Sequence, residues 1–428
     1  MIVSLFAAWH LGAAVTPINP VLTGTEIKHQ ASDAGVGVLV TVDGTAPIDG
    51  VTVVGAEALG IGGPTPADPP PAADLAPADL AILIYTAGTT GKPKGVMTTH
   101  GNIDAMTKSF IEHFNFTAAD HSLLILPLFH ANGVVLGTLT PLRAGGQATI
   151  VPRFKADTFW DAVEKYRPTY FSAVPAIYSM LLALPAQVQP DTSSMRLVVC
   201  GAAPMPAELI GKFEQRYNIP LVEGYGLSET TTASAINPVE GPRKAGTVGT
   251  VLPGQQIRIA DPDGNDVADG ESGEVLIRGD VVMQGYLNRP EDTAKVLVDG
   301  WLYTGDVGKF DNDGYLVLVD RVKDMIIRGG ENIYPKEIES AIHENSDIYE
   351  AAVVARPHDT FGEVPMAYIA LNQGATTTPE SLLEELTGKL AKYKLPVAIV
   401  VLDEIPKNPV GKIDKPTLGK RPETAGTA

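Results

Sequence analysis

Cysteine is almost missing from this chain: its 428 residues contain one, Cys200. A lone cysteine excludes an internal disulfide framework and favours a reducing, cytoplasmic compartment. Cys200 closes an apolar run that begins at Leu197, so it reads as a small buried hydrophobe. Positive charge is also scarce. With 50 acidic against 32 basic residues the formal net charge is −18, and no window clusters Lys and Arg with interleaved aromatics, so nucleic acid is not an expected partner. No uninterrupted apolar run reaches the roughly 18 residues that mark a membrane span. The apolar opening, residues 1–15, lacks the basic start of a secretory signal and contains Trp9 and His10, so it reads as a core helix.

What is present is apolar material for one large core and a second, smaller one, at 44% hydrophobic residues. From residue 25 to about 230, strand-like runs alternate with helical patterns, which points to layered α/β sheets. The runs at 38–40, 81–85, 123–126, 148–151, 170–174, 197–200 and 220–223 are the expected strands, with a further one at 13–18. Phe159, Trp160, Val163 and Tyr166 recur at helical spacing and are expected in the core, and Pro206 is placed like the first residue of a helix ending near Tyr217. The Pro- and Ala-rich stretch 64–71 reads as a surface linker.

After Gly246 the turn dipeptides Asp263-Gly264 and Asp269-Gly270 separate short runs at 256–259 and 274–278, and another run follows at 315–319, as in an antiparallel β subdomain. A polar joint, 320–324, precedes a segment with its own small core. There Pro335 opens a helix carrying Ile338 and Ile342, strands are expected at 351–355 and 366–371, and Thr378-Pro379 opens a helix presenting Leu382, Leu383, Leu386 and Leu390. The expected fold class is α/β, with a large multi-subdomain N-terminal domain (1–319), a hinge (320–324), a small mobile α+β C-terminal domain (325–418) and a disordered tail (419–428).

The segment Tyr85-Thr-Ala-Gly-Thr-Thr-Gly-Lys-Pro-Lys-Gly95 has the composition of a polyphosphate site. Glycines allow close backbone approach, threonines offer donors, and Lys92 and Lys94 supply charge. It is not a P-loop, which needs four residues between its glycines and a Ser or Thr after the lysine. Here Gly88 and Gly91 are separated by two residues and Pro93 follows Lys92. A plain Gly-rich turn joining strand to helix is the structural alternative. Gly201-Ala-Ala-Pro204 follows a strand and leaves backbone groups open to a planar base or an acyl chain. Glu223-Gly-Tyr-Gly-Leu-Ser-Glu-Thr230 combines glycines, an aromatic, carboxylates and hydroxyls, and it does not complete the Gly-x-Ser-x-Gly pattern of a nucleophile elbow. Asp306 and Arg321 flank a run before the joint, and Lys412 sits in a Pro/Gly-framed loop.

Jointly and in this order, these segments resemble the adenylate-forming superfamily of acyl-CoA synthetases, firefly luciferase and peptide-synthetase adenylation domains. The resemblance is carried by 86–95, 126–133, 201–204, 224–230, 303–306, 321–337 and 411–412. It implies that Thr86, Gly88, Thr89, Thr90, Gly91, Lys92 and Lys94 hold the β- and γ-phosphates of ATP. Thr86 and Glu229 would lie near Mg²⁺ and Thr230 on the α-phosphate. Gly201, Ala202, Ala203 and Pro204 with Tyr225 would wall the adenine, within a nucleotide site that also takes in Glu223, Gly224 and Gly226. Asp306 and Arg321 match a ribose-binding pair, Lys323 the hinge, Lys412 the lysine bridging carboxylate and α-phosphate, and His130 the histidine lining the acyl pocket. After rotation of the small domain, Gly329, Gly330 and Glu331 would line the thiol's channel.

The implied reaction joins a carboxylic acid to ATP as acyl-AMP, releases pyrophosphate, and transfers the acyl group to CoA. A stand-alone ligase that loads a carrier protein and a non-catalytic acyl-adenylate-binding paralogue are the alternatives. The expected partners are a small acid, ATP and CoA, with no integral membrane segment; a homodimer is left open. Segments 129–136 and 174–177, with Gly201 and Tyr225, carry no charge apart from His130, so a fatty or aromatic monocarboxylate is expected. Two departures from the superfamily stand out. Ala87 replaces a serine found in many relatives, and the N-terminal segment is shorter, which implies a reduced first subdomain.

Overall fold

The computed structural model describes residues 1–42, 48–60, 69–86, 93–203, 205–321, 324–328, 331–358, 360–407 and 413–421. The chain divides into two compact units: Met1–Arg258, Leu276–Tyr303 and Asp311–Val317 form the first, and Ile259–Val275, Thr304–Phe310 and Leu318–Ala428 the second.

In the first unit, short β-branched and apolar runs become strands of three sheets. Strands β1 (Val38–Thr41) and β2 (Thr52–Gly55) pair in parallel by themselves. Strands β3 (Leu80–Thr86) and β4 (Lys94–Thr99) form an antiparallel hairpin. The main sheet holds β5 (His121–Leu124), β6 (Gln147–Ile150), β7 (Tyr170–Ala173), β8 (Leu197–Cys200), β9 (Leu221–Tyr225), β10 (Ala235–Ile236) and β11 (Thr250–Val251) in the order β11-β10-β9-β8-β7-β5-β6. Its five strands from β6 to β9 run parallel, and β10 and β11 add antiparallel. The expected runs at 38–40 and 81–85 are therefore strands, but of other sheets. The strand expected at 13–18 reduces to a bridge between Val15 and Ile82, because Pro17 has no N–H to extend a ladder.

One face of the main sheet is covered by the helices Ala156–Tyr166, Pro175–Leu182 and Ala207–Tyr217, whose Phe159, Trp160, Val163, Tyr178 and Phe213 pack with Phe171 and Val198. Phe159 meets Phe171 edge-on at 5.0 Å, and Tyr178 meets Phe213 at 5.0 Å and 87°. Tyr166, expected in that core, is 40% exposed. It is the last residue of its helix, and its ring is covered by the Lys165 ammonium instead. Pro206 is the cap ahead of its helix, not the first helical residue, since its ψ of 134° is extended. Cys200 is fully buried, and burial raises its thiol far above the ordinary range, as suits an inert core residue. The other face takes the helix His100–Phe114 through Met106, Phe110 and Phe114 against Tyr170, Val199 and Val222.

Further along lie β12 (Gln255–Ala260), β13 (Gly273–Gly279), β14 (Gly285–Tyr286), β15 (Leu297–Val298), β16 (Trp301–Phe310) and β17 (Leu316–Arg321). They cover the runs expected after Gly246, with β17 beginning one residue late and ending two late. Strand β14 pairs antiparallel with β4, Gly285 opposite Met97 and Tyr286 opposite Val96. The chain passes between the units within β12, β13, β16 and β17.

The second unit carries β18 (Ile326–Arg328), β19 (Glu331–Ile333), β20 (Ile348–His358), β21 (Gly362–Leu371) and β22 (Ile399–Val401), ordered β19-β18-β21-β20 with β22 parallel to β21. The helices Pro335–His343 and Pro379–Thr387 bury Ile338, Ile342, Leu382 and Leu386 on that sheet. Leu390, expected on the second of these helices, lies past its end at Thr387 and still packs on the same core. Stretches 64–68 and 422–428, expected as linker and tail, fall outside the described residues. Among the described residues no helix is long and apolar enough to cross a membrane.

Phe213 is fully buried between Tyr178 and Tyr217. Phe213→Ala is expected to destabilise the first unit by about 3–5 kcal/mol, the cost of an aromatic-sized core cavity. The check is the urea midpoint of the tryptophan fluorescence transition, which should fall clearly.

Candidate active site

The Gly/Thr/Lys segment is the connection of the β3–β4 hairpin: Thr86 ends β3 opposite Lys94, which starts β4. Its helix starts only at His100. The segment therefore joins two strands and does not lead directly into a helix N-terminus. Gly88, Thr89, Thr90, Gly91 and Lys92 fall outside the described residues. Lys94 Nζ lies 2.9 Å from Asp292 Oδ2 and 5.0 Å from the ring centre of Tyr286. The Lys94 ammonium in turn lowers the Asp292 carboxyl from its usual range.

Beyond the end of β9 the chain makes a tight turn, Ser228–Thr230, closed by Thr231 at φ 62°. The turn is tied to the segment that leads into β14. Met283 N donates to Glu229 O at 2.8 Å, Thr231 Oγ1 donates to Val281 O at 2.6 Å, and Tyr286 Oη donates to Glu229 Oε1 at 2.8 Å. Burial, with the Glu229 charge next, holds the Tyr286 phenol far above its ordinary range, so it stays a neutral donor. Thr230 is fully buried, and its hydroxyl is within 3.2 Å of both Leu227 N and Leu227 O. The hydroxyl expected on the α-phosphate is thus engaged inside its own turn.

Gly201 follows β8, and Ala202 takes φ 69°, a left-handed conformation unusual for alanine. Ala202 and Ala203 are exposed, while Pro204 lies outside the described residues. Glu223 is 6% exposed, and its Oε1 accepts from Met205 N at 3.0 Å. Its carboxylate therefore holds the backbone at Met205. Tyr225 is buried at the end of β9, and a Cβ on Gly201 would sit 3.5 Å from Gly224 O, so the ends of β8 and β9 lie side by side. At Gly226 a Cβ would come within 2.2 Å of Thr232 O, so chain packing alone demands glycine there.

His130 is exposed, caps the helix Ala131–Val134 and has its ring 4.6 Å from that of Phe129. Val134, Val135 and Leu136, from the segment expected to line the acyl pocket, are buried in the apolar cores. The side chains of that segment that keep some exposure are Phe129, His130 and Asn132.

In the second unit Asp306 is buried on β16, and its N–H donates to Thr304 Oγ1 at 3.1 Å. Gly305 N donates to Glu274 Oε1 at 2.8 Å, and burial raises the Glu274 carboxyl, with Asp306 adding to the effect. Arg321 ends β17 and Glu331 starts β19, with both side chains outside the described residues. Lys323, Gly329, Gly330 and Lys412 are outside them as well. The flanks of Lys412 are anchored: Lys407 and Ile413 form an antiparallel bridge, Lys407 pairs with Glu350 at 3.1 Å and Lys415 with Glu339 at 2.9 Å.

The first unit thus brings Lys94 and Glu229 to the same residue, Tyr286, with Thr86 opposite Lys94 on the hairpin. Sequence reasoning missed Tyr286 and Asp292. Nothing local marks them, because Tyr286 reaches Glu229 across 57 positions of chain and Asp292 looks like any acidic residue in a first helical turn.

Residues 1–287 match the AMP-binding enzyme family, and residues 337–412 match the AMP-binding enzyme C-terminal domain. The chain is 38% identical to indoleacetate–CoA ligase of Aromatoleum aromaticum, over 97% of this chain and 84% of that protein. Among solved structures, ATP-bound MatB from Rhodopseudomonas palustris superposes with a TM-score of 0.90 at 33% identity, covering 98% of this chain and 86% of that one. The o-succinylbenzoate coenzyme A synthetase of Bacillus subtilis, in complex with ATP and magnesium ion, gives 0.87 at 30% identity over 98% and 86%. This chain therefore belongs to the AMP-binding enzyme family, the adenylate-forming enzymes that its ordered motifs resemble.

Proposed function

We propose that this protein is an ATP-dependent acid–thiol ligase that activates a monocarboxylic acid as its acyl-AMP and passes the acyl group to CoA. The observation that carries this reading is the convergence of Lys94 and Glu229 on Tyr286 beside the Gly/Thr/Lys hairpin. One cation and one carboxylate beside such a loop suit a polyphosphate with its counter-cation, and the ATP-bound relatives support it.

In the first step a carboxylate oxygen attacks the α-phosphorus, the bond to the β-phosphate oxygen breaks, and pyrophosphate leaves. Two anions must meet, so catalysis is alignment plus charge neutralisation. Lys94 and Lys92 serve the leaving phosphates, and Lys412 bridges the acid's carboxylate and the α-phosphate. In the second step the CoA sulfur attacks the acyl carbon, its proton passes to solvent, and AMP departs. The carbonyl then needs other neighbours, which the small domain supplies by turning about Lys323, bringing Gly329, Gly330 and Glu331 to the thiol channel and withdrawing Lys412.

The residues present fit Mg²⁺. Among the described residues no group of three or more His, Cys, Asp or Glu side chains forms a metal cluster; the hard oxygen donors Glu229 and the Thr86 hydroxyl would hold this ion only together with phosphate oxygens, which suits its preference for few protein ligands. Bound there, it would offset phosphate charge. Asp306 and Arg321 serve the ribose hydroxyls, and Gly201, Ala202, Ala203, Pro204 and Tyr225 the adenine. For the acid, Phe129, His130 and Asn132 are the partly exposed side chains of the segment expected at the acyl pocket, and indoleacetate, named for the Aromatoleum relative, is an aromatic monocarboxylate. Both support an aromatic or aliphatic monocarboxylate as the substrate.

The test is pyrophosphate release with ATP and Mg²⁺ over a panel of aliphatic and aromatic acids, with and without CoA. Acid-dependent release plus a CoA-dependent thioester is expected; release with transfer to a carrier protein alone would overturn the choice of acceptor. Lys412→Ala should slow acyl-AMP formation by at least about a hundredfold, the scale of a lost charge-stabilising donor. It should leave thioester formation from supplied acyl-AMP far less affected. Lys323→Pro should do the opposite, sparing pyrophosphate release in single-turnover assays and blocking CoA transfer.

A further inference from the structure

Resting on the nucleotide-site reading above, we propose that Tyr286 is a positioning residue that orients Glu229 and Lys94 together for a divalent cation–ATP complex. Its backbone is fixed against β4. Tyr286 pairs with Val96, Gln284 N donates to Met97 O at 3.0 Å, and Leu287 N donates to Gly95 O at 2.8 Å. Its own N–H donates to Thr293 Oγ1 at 2.9 Å, and that hydroxyl donates to Arg289 O at 2.9 Å, which holds the turn after β14. From this anchored position one side chain serves both charged groups: the hydroxyl is 2.8 Å from Glu229 Oε1, and the ring face lies 5.0 Å from Lys94 Nζ.

The chemistry of tyrosine suits that double task. A neutral phenol fixes one carboxylate oxygen, and with it the plane of the group, without cancelling the charge that a cation needs. A lysine or arginine in its place would compete with the cation for Glu229. The ring face attracts the Lys94 ammonium through its quadrupole and takes up none of its three N–H donors. One of those donors meets Asp292, which leaves others for phosphate oxygens.

The test is equilibrium binding of ATP to the full chain by titration calorimetry, without acid, in EDTA and in Mg²⁺, for wild type, Tyr286→Phe and Tyr286→Leu. Tyr286→Phe keeps the ring and should bind ATP in EDTA as wild type does, while the gain on adding Mg²⁺ shrinks by about tenfold, the scale of one lost hydrogen bond to a charged group. Tyr286→Leu, which also removes the platform under Lys94, should bind more weakly in both conditions. In a Glu229→Gln background, Tyr286→Phe should have no further effect on Mg²⁺-ATP binding. A full Mg²⁺ gain in Tyr286→Phe, equal losses in EDTA and Mg²⁺, or an undiminished effect beside Glu229→Gln would overturn the assignment. Wild-type protein that binds no ATP would instead overturn the nucleotide-site reading on which it rests.

Discussion

The pairing of β14 with β4 is the constraint on which the candidate site depends. The β3–β4 hairpin is a local structure, and the Ser228–Thr230 turn is fixed by the end of β9. The antiparallel match of Gly285 and Tyr286 with Met97 and Val96 sets one tyrosine against both the lysine of the hairpin and the glutamate of the turn. Charge attraction is too weak to do this. Lys94 and Asp292 retain 16% and 29% side-chain exposure, and solvent screens such a pair so that it adds little. Burial of Val96, Met283 and Leu302 in one apolar cluster supplies the larger driving force, and the charged groups ride on it.

The second constraint is the parallel sheet. Both the turn at Gly201 and the turn at Glu229 lie beyond carboxyl ends of adjacent parallel strands, β8 and β9, where open α/β sheets characteristically bind ligands. Each turn contains a non-glycine residue at positive φ, Ala202 and Thr231, and such conformations cost about 1–3 kcal/mol apiece. Each is held by a contact from outside the turn: the Glu223 carboxylate on Met205 N, and the Thr231 hydroxyl on Val281 O. Buried Glu223 thus acts through the backbone that it braces. The glycines nearby have mixed reasons, Gly226 being required by the 232–233 backbone and not by a ligand.

In the second unit the flanks of Lys412 are secured independently of the loop itself. The Lys407–Ile413 bridge closes its base, two ion pairs tie that base to Glu350 and Glu339, and Asp414 caps the short helix Lys415–Gly419 by accepting from Thr417 N. The Arg356 guanidinium, buried, donates to Gly419 O and Tyr368 Oη and fastens that helix to the sheet. These contacts hold the two flanks of Lys412 to the same sheet and helices of the second unit.

By itself the sequence determined the five parallel strands of the main sheet, since short β-branched runs bounded by Gly, Pro and polar turns have few other stable fates; the short antiparallel β10 and β11 were not legible in it. It determined the inert burial of Cys200 and, through the order of its motifs, the family. Local pattern encodes what an element is, because side-chain periodicity and backbone preference act over a few residues. It does not encode which distant element an edge will meet. Tertiary structure alone decided that β3 leaves the main sheet, that Tyr166 stays at a helix end in solvent, that Val134 to Leu136 go to the core, and that the Thr230 hydroxyl turns inward. It alone made Tyr286 the meeting point of Lys94 and Glu229, because the pairing that places it joins residues with no neighbouring sequence in common.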